Sequence, residues 1–240
     1  MRQLVVLLLL SLQSAPPVTI YLIGDSTMAD KPLVDNPERG WGMRLGEFLR
    51  PEIRVENHAR NGRSTRTFLS EHRWDTVRAR LKAGDVVVIQ FGHNDQSKEK
   101  VDRYTPPDQF RANLRRFVED ARNAGAQPIL CTPIMRRRFD STGAFFDVHG
   151  EYPELTREVA RALAVPLVDM HRSSEALIRE LGAARSKQIF LHIPPRVYAS
   201  LPDGRRDDTH FSDFGARWMA KLFVDELRTM HPEFAQRLLH

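Results

Sequence analysis

The chain has 240 residues, 41% hydrophobic and 28% charged. That length and balance fit one sizeable folded domain and exclude a disordered chain, and no internal stretch is apolar enough to span a bilayer. Lys and Arg number 36 against 31 Asp and Glu, a net charge of +5 that suits an anionic partner, yet no interleaving of basic and aromatic residues points to nucleic acid.

The N-terminus differs from the rest. Met1-Arg2 precedes the apolar run Leu4–Leu10, then Ser14-Ala15 and a proline pair. One positive charge, a short apolar run and small residues read as a secretory signal peptide over residues 1–15. The run is too short for a membrane anchor. A single domain over residues 16–240, placed extracellularly or in a periplasm, is the resulting expectation.

Val18–Ile23 reads as a first strand and runs into Gly24-Asp25-Ser26. Trp41–Leu49 reads as a helix, Ile53–Glu56 as a short second strand and Arg73–Leu81 as a helix. Ser64 reads as the cap of a short helix. Val86–Phe91 is continuous and β-branched, as a strand buried on both faces should be. Pro107–Ala124 has Phe110, Leu114, Phe117, Val118 and Ala121 at helical spacing, closed by Gly125. Pro128–Thr132 is a fourth strand and holds the single cysteine, Cys131, which excludes an intramolecular disulfide and reads as a buried thiol. Tyr152–Leu163 is a helix, Val165–Val168 a fifth strand and Ser173–Leu181 a helix. Ser186–Thr209 reads as a long irregular loop, and Asp213–Arg228 as the last helix. Strand and helix alternating five times predict an α/β fold, a three-layer α/β/α sandwich with a five-stranded parallel sheet.

Ligands of open parallel sheets bind beyond the carboxyl ends of the strands. The groups predicted there are Gly24-Asp25-Ser26, Asn61-Gly62-Arg63-Ser64, Gly92-His93-Asn94-Asp95 and, before the last helix, Asp207-Asp208-Thr209-His210. Acyl transfer needs a nucleophile, a base, a group that orients the base, and donors for an oxyanion. Ser26 fits the nucleophile, His210 the base and Asp207 its orienting carboxylate. The i, i+3 spacing of Asp207 and His210 suits one helical turn or a tight loop. The backbone N–H groups of Ser26 and Gly62, with the Asn94 amide, fit the oxyanion hole.

These four groups, in this order, resemble the four blocks of SGNH (GDSL-type) hydrolases, with Thr27 in place of the leucine of the plain pattern. Gly24-Asp25-Ser26-Thr27-Met28-Ala29, Gly40-Trp41-Gly42, Asn61-Gly62-Arg63-Ser64-Thr65, Phe91-Gly92-His93-Asn94-Asp95 and Asp208-Thr209-His210-Phe211 resemble, more narrowly, the rhamnogalacturonan acetylesterases. The resemblance spans about Thr19 to Ala220. It implies the flavodoxin-like SGNH fold, a carboxylic ester hydrolase, the site roles given above, an acidic acetylated polysaccharide as partner, and no metal or cofactor.

Around this centre, Arg63, His93 and Trp41 are candidate substrate contacts, Trp41 for stacking on a sugar. Asp25 and Asp95 read as braces for their turns. Asp208 is the rival of Asp207. His58, His72, His149, His171 and His192 read as surface or internally satisfied rings. Other readings stay open: acetylated xylan or another glycan, a lipid ester or thioester, a metal-dependent hydrolase built on His93, Asp95, Asp207 and His210, and a silent glycan-binding protein.

Overall fold

The computed structural model describes residues 18–240, so the proposed signal peptide lies outside the described residues. Among the described residues no helix is long and apolar enough to cross a membrane.

The elements run β1 (Thr19–Gly24), α1 (Gly42–Leu45), β2 (Arg54–Asn57), α2 (Thr65–Ser70), α3 (Arg73–Arg78), β3 (Val86–Gln90), α4 (Pro107–Asn123), β4 (Gln127–Cys131), α5 (Tyr152–Ala162), β5 (Leu167–Val168), α6 (Met170–Arg185), β6 (Phe190–Ile193), β7 (Arg205–Phe211), α7 (Asp213–Met230) and α8 (Pro232–Leu238). β1 to β5 form one parallel sheet in the order β2-β1-β3-β4-β5. The chain order reverses at β1, between its neighbours β2 and β3. That is the switch point at which such sheets open a crevice.

Side chains of a strand alternate between faces, so each strand feeds two cores. Leu22, Val88 and Ile129 point to a core closed by Trp41, just before α1, and by Ile178, Phe223 and Leu238 from α6, α7 and α8. Ile23, Val87, Ile89 and Leu130 point to a second core with Phe68, Trp74, Phe117 and Leu155 from α2 to α5. The three-layer sandwich follows from this division. Each fully buried side chain of this size stabilises the fold by about 1.5–3 kcal/mol. All five residues of β3 are buried, as the unbroken Val-Val-Val-Ile run predicts for a central strand.

The segment read as an irregular loop over Ser186–Thr209 is different in the structure. It contains a separate antiparallel hairpin, β6 with β7, whose second strand holds Asp207 and His210. Its register is broken. Phe190 pairs with Phe211, but the next residue, Leu191, pairs with Asp207, so Asp208, Thr209 and His210 bulge from the ladder. Bulges turn side chains away from strand alternation. Here the bulge brings two residues three apart in sequence onto the same side.

Candidate active site

Ser26 sits in the turn after β1, and that turn is fixed from several directions. Asp25 is buried, and its Oδ1 accepts the Thr27 N–H at 2.9 Å and the Thr27 hydroxyl at 2.8 Å. Burial raises the Asp25 pKa, against the pull of those Thr27 hydrogen bonds. Thr27, the departure from the plain GDSL pattern, is thus part of the brace. The Trp41 backbone N–H donates to Thr27 O at 2.9 Å, and its indole N–H to Gln90 Oε1 at 2.8 Å. Gly40 and Gly42 lie flat beneath the turn. A Cβ on Gly40 would sit 2.1 Å from Ala29 O, and one on Gly42 would sit 2.7 Å from Met28 O. The Gly-Trp-Gly motif therefore shapes the seat of Ser26 from below.

This corrects one expectation. Trp41 is fully buried and stacks on Phe223 at 5.1 Å between ring centroids, so its ring has no face left for a sugar.

His210 reaches Ser26 across the gap between hairpin and sheet. Its Nε2 is 2.8 Å from Ser26 Oγ, and its Nδ1 is 2.8 Å from Asp207 Oδ2. The other Asp207 oxygen accepts the backbone N–H groups of Thr209 and His210 at 2.8 and 3.0 Å, which stabilises the bulge. Burial alone would raise the Asp207 pKa. The hydrogen bond and charge of His210, with those two N–H donors, outweigh it and hold the carboxyl well below the usual range. Asp208, the rival, points elsewhere and pairs with Arg137 and His192, each at 2.8 Å. An ionic chain backs the hairpin: Lys31 to Glu38 at 2.7 Å, Glu38 to Arg205 at 3.2 Å, and Arg205 to Asp207.

Gly62 has φ +74°, a left-handed backbone that favours glycine. The N–H groups of Ser26 and Gly62 donate to no other group among the described residues. Asn94 Nδ2 donates one hydrogen to Arg63 O at 2.9 Å, which ties its loop to the Gly62 loop and leaves a second hydrogen available. Ser26, Gly62, Asn94 and His210 all line one cleft of about 460 Å³.

Asp95 is the brace it was expected to be. It accepts the Thr65 N–H and hydroxyl and the Gly92 N–H, and burial pushes its pKa up to about 6. Ser64 caps α2 with a full capping box. Cys131 is buried, and burial drives its thiol pKa up.

Two candidate contacts part company. His93 lines the cleft with Ser26, but it is buried and its Nε2 donates to Ile134 O at 2.6 Å. Burial, with the charge of Arg136 beside it, depresses its pKa and keeps the ring neutral. Arg63 turns away. Its guanidinium binds Glu71 at 3.0 Å and Asn61 O at 2.9 Å, and it lines a separate depression beside Asp102 and Arg103. The expectation that Arg63 contacts substrate in the Ser26 cleft is not met, because Glu71 already satisfies its charge.

The four residues of the metal-hydrolase alternative are not gathered as ligands. His93 is bound to a carbonyl and Asp95 to three donors of its own loops. Among the described residues the grouping with metal-ligand donors is Asp147, His149 and His171. Those groups bind one another: Asp147 accepts from His149 Nδ1 at 2.7 Å and from His171 Nε2 at 3.1 Å. Arg157 lies 3.5 Å from the remaining His171 nitrogen and adds positive charge there. The donor set is that of a carboxylate bridging two imidazoles; the reading of His149 as a satisfied ring holds only for its Nδ1, since its buried Nε2 has no partner among the described residues.

The net charge of +5 suits an anionic partner, and the fold concentrates part of it in the cleft. Lys100, Arg103, Arg136, Arg138 and Arg205 line it, against the single acid Glu38. Of the consecutive Arg136-Arg137-Arg138, the fold turns two of the three into the cleft.

A parallel sheet flanked by helices, with a serine, imidazole and carboxylate in line beyond its strand ends, defines a class of hydrolase. The chain belongs to the GDSL-like Lipase/Acylhydrolase family, which it matches over residues 22–218. It is 36% identical over 214 residues to the rhamnogalacturonan acetylesterase RhgT of Bacillus subtilis (strain 168), covering 89% of this chain and 91% of that one. The crystal structure of Bacillus subtilis YxiM superposes with a TM-score of 0.75 at 25% identity, covering 89% of this chain and 57% of YxiM. Axe2, an acetylxylan esterase from Geobacillus stearothermophilus, shares the fold, with a TM-score of 0.65 at 20% identity over 88% of this chain and 94% of that one. The chain is thus an SGNH-type hydrolase.

Proposed function

We propose that the protein is an exported serine esterase that removes acetyl groups from an acidic plant cell-wall polysaccharide, rhamnogalacturonan. The observation that carries the chemistry is the unbroken relay from Ser26 Oγ through His210 to Asp207, with 2.8 Å at each step. His210 Nε2 takes the Ser26 proton as Oγ attacks the acetyl carbonyl. The negative oxygen of the tetrahedral intermediate accepts from the N–H groups of Ser26 and Gly62 and from the Asn94 amide. His210 then protonates the departing sugar hydroxyl, leaving an acetyl-serine. Water, deprotonated by the same ring, attacks that ester and releases acetate. Asp207 fixes the tautomer that presents a lone pair to Ser26 and stabilises the imidazolium.

Two observations support the substrate. The cleft is lined by five cations and one acid, which suits a polymer carrying uronate carboxylates and offers nothing to a long acyl chain. The relative RhgT, at 36% identity over nearly the whole of both chains, is a rhamnogalacturonan acetylesterase. Export rests on the pattern of residues 1–15 and is tested by N-terminal sequencing of secreted protein.

The test is acetate release from acetylated rhamnogalacturonan, acetylated xylan and a lipid ester, by wild type and Ser26→Ala. The proposal expects pectic material to be preferred and the variant to be inactive. A variant with wild-type rates would overturn the nucleophile, and a preference for xylan or lipid would overturn the substrate.

A further inference from the structure

Arg136 stands apart from the arginines around it. Arg137 is paired with Asp208, Arg205 with Glu38 and Asp207, and Arg103 with Asp102. Among the described residues, the one hydrogen bond of the Arg136 guanidinium goes from Nη2 to His93 O at 3.2 Å. Its Nε is buried and has no partner. A guanidinium carries five N–H donors and always bears its charge. Holding one partly out of water without a counter-charge is costly. Burial accordingly weakens its hold on its proton.

Its position gives that cost a use. Arg136 lines the same cleft as Ser26 and His210, and it is anchored on the carbonyl of His93, the residue preceding Asn94. Arg138 lines the cleft as well, with no carboxylate partner among the described residues. From these observations we infer that Arg136 forms a carboxylate-binding subsite: it pairs with a uronate carboxylate of the bound glycan and sets which acetyl group meets Ser26. A planar carboxylate matches the guanidinium fork, accepts two of its unused donors and supplies the missing counter-charge. Arg138 adds charge at the flank. The inference rests on the acidic-glycan reading of the cleft and narrows it to one residue.

The experiment compares kcat/KM for deacetylation of an acetylated, uronate-containing oligosaccharide with kcat/KM for the same oligosaccharide methyl-esterified at its carboxylates. Wild type, Arg136→Gln, Arg136→Lys and Arg138→Gln are each measured. Wild type is expected to favour the free acid, and Arg136→Gln to lose about 10- to 100-fold of that preference, mostly through KM. Arg136→Lys should keep part of it, since it retains the charge without the fork. Arg138→Gln should lose less than Arg136→Gln. Wild type without a preference would overturn the acidic-glycan reading and the subsite with it. A wild-type preference that survives in Arg136→Gln would overturn the subsite alone. Should Arg136→Gln not fold, Arg136→Lys decides: full wild-type discrimination by that variant overturns the bidentate pairing, and partial loss supports it.

Discussion

The nucleophile and its base stand on two kinds of ground. Ser26 lies on a turn held by a central strand, two glycines that admit no Cβ, and the Asp25, Thr27, Gln90 and Trp41 hydrogen bonds. His210 lies on a bulge of a two-stranded hairpin outside the main sheet, half-exposed, and its position depends on one carboxylate. The first region is over-determined by packing. The second is held by charge and hydrogen bonds. Substitutions should therefore damage the two sides in different ways.

The largest effect should come from the centre itself. Ser26→Ala removes a hydroxyl whose one side-chain hydrogen bond is to His210. Turnover should fall by more than about 10⁴-fold with little change in melting temperature. A melting temperature lowered by several degrees would show that the turn depends on the hydroxyl.

On the hairpin side, Asp207→Asn should lower kcat by about 10⁴-fold, because the amide favours the wrong imidazole tautomer. It should also loosen the bulge, whose two N–H donors now meet a neutral acceptor. Asp207 has a depressed pKa in the folded protein, so its contribution to stability is present above the ordinary aspartate value of 3.8 and is lost as pH falls. The stability gap between wild type and Asp207→Asn, read by denaturant titration, should therefore close below about pH 4. A gap independent of pH would mean that the bulge is held by something other than this charge.

Asn94→Ala should cost about 10²–10³-fold in kcat through loss of one oxyanion donor, with KM on a small acetyl ester changed little. The smallest effect belongs to the packed side. Trp41→Phe leaves Gln90 Oε1 without its indole donor and should cost about 1–2 kcal/mol of stability. Its KM for polysaccharide should be that of wild type. A raised KM would restore Trp41 as a sugar contact.

The same contrast explains what was legible in the sequence. Elements that face the core are chosen by hydrophobic period, and their period can be read. Val86–Gln90 and Pro107–Asn123 match their expected strand and helix to within a residue. β7 is Arg-Arg-Asp-Asp-Thr-His-Phe, where only Phe211 is buried. Its side chains serve the site rather than a core, so no alternation marks it as a strand. The i, i+3 spacing of Asp207 and His210 foretold their pairing but not the bulge that achieves it. Trp41 misled because an aromatic beside a site motif looks the same whether it touches a ligand or props up the loop beneath it. Arg63 stood out in sequence because it lies in a site motif, and Arg136 did not. In the structure the two differ through Glu71, which reaches Arg63 from the end of α2, whereas Arg136 makes no ion pair within 4 Å among the described residues.

One contact outside the relay bears on how such a cleft changes its taste. Asp35 accepts the backbone N–H groups of Ala199 and Ser200 at 2.9 and 2.6 Å, so the loop leading to Glu38 is fastened to the loop leading to Arg205. Both are surface excursions with no strand of the central sheet beneath them. They form a collar, fastened at Asp35 and again by the Glu38–Arg205 ion pair. Because that ion pair continues from Arg205 to Asp207, recutting the collar would alter the rim that meets the polymer and the footing of the base together.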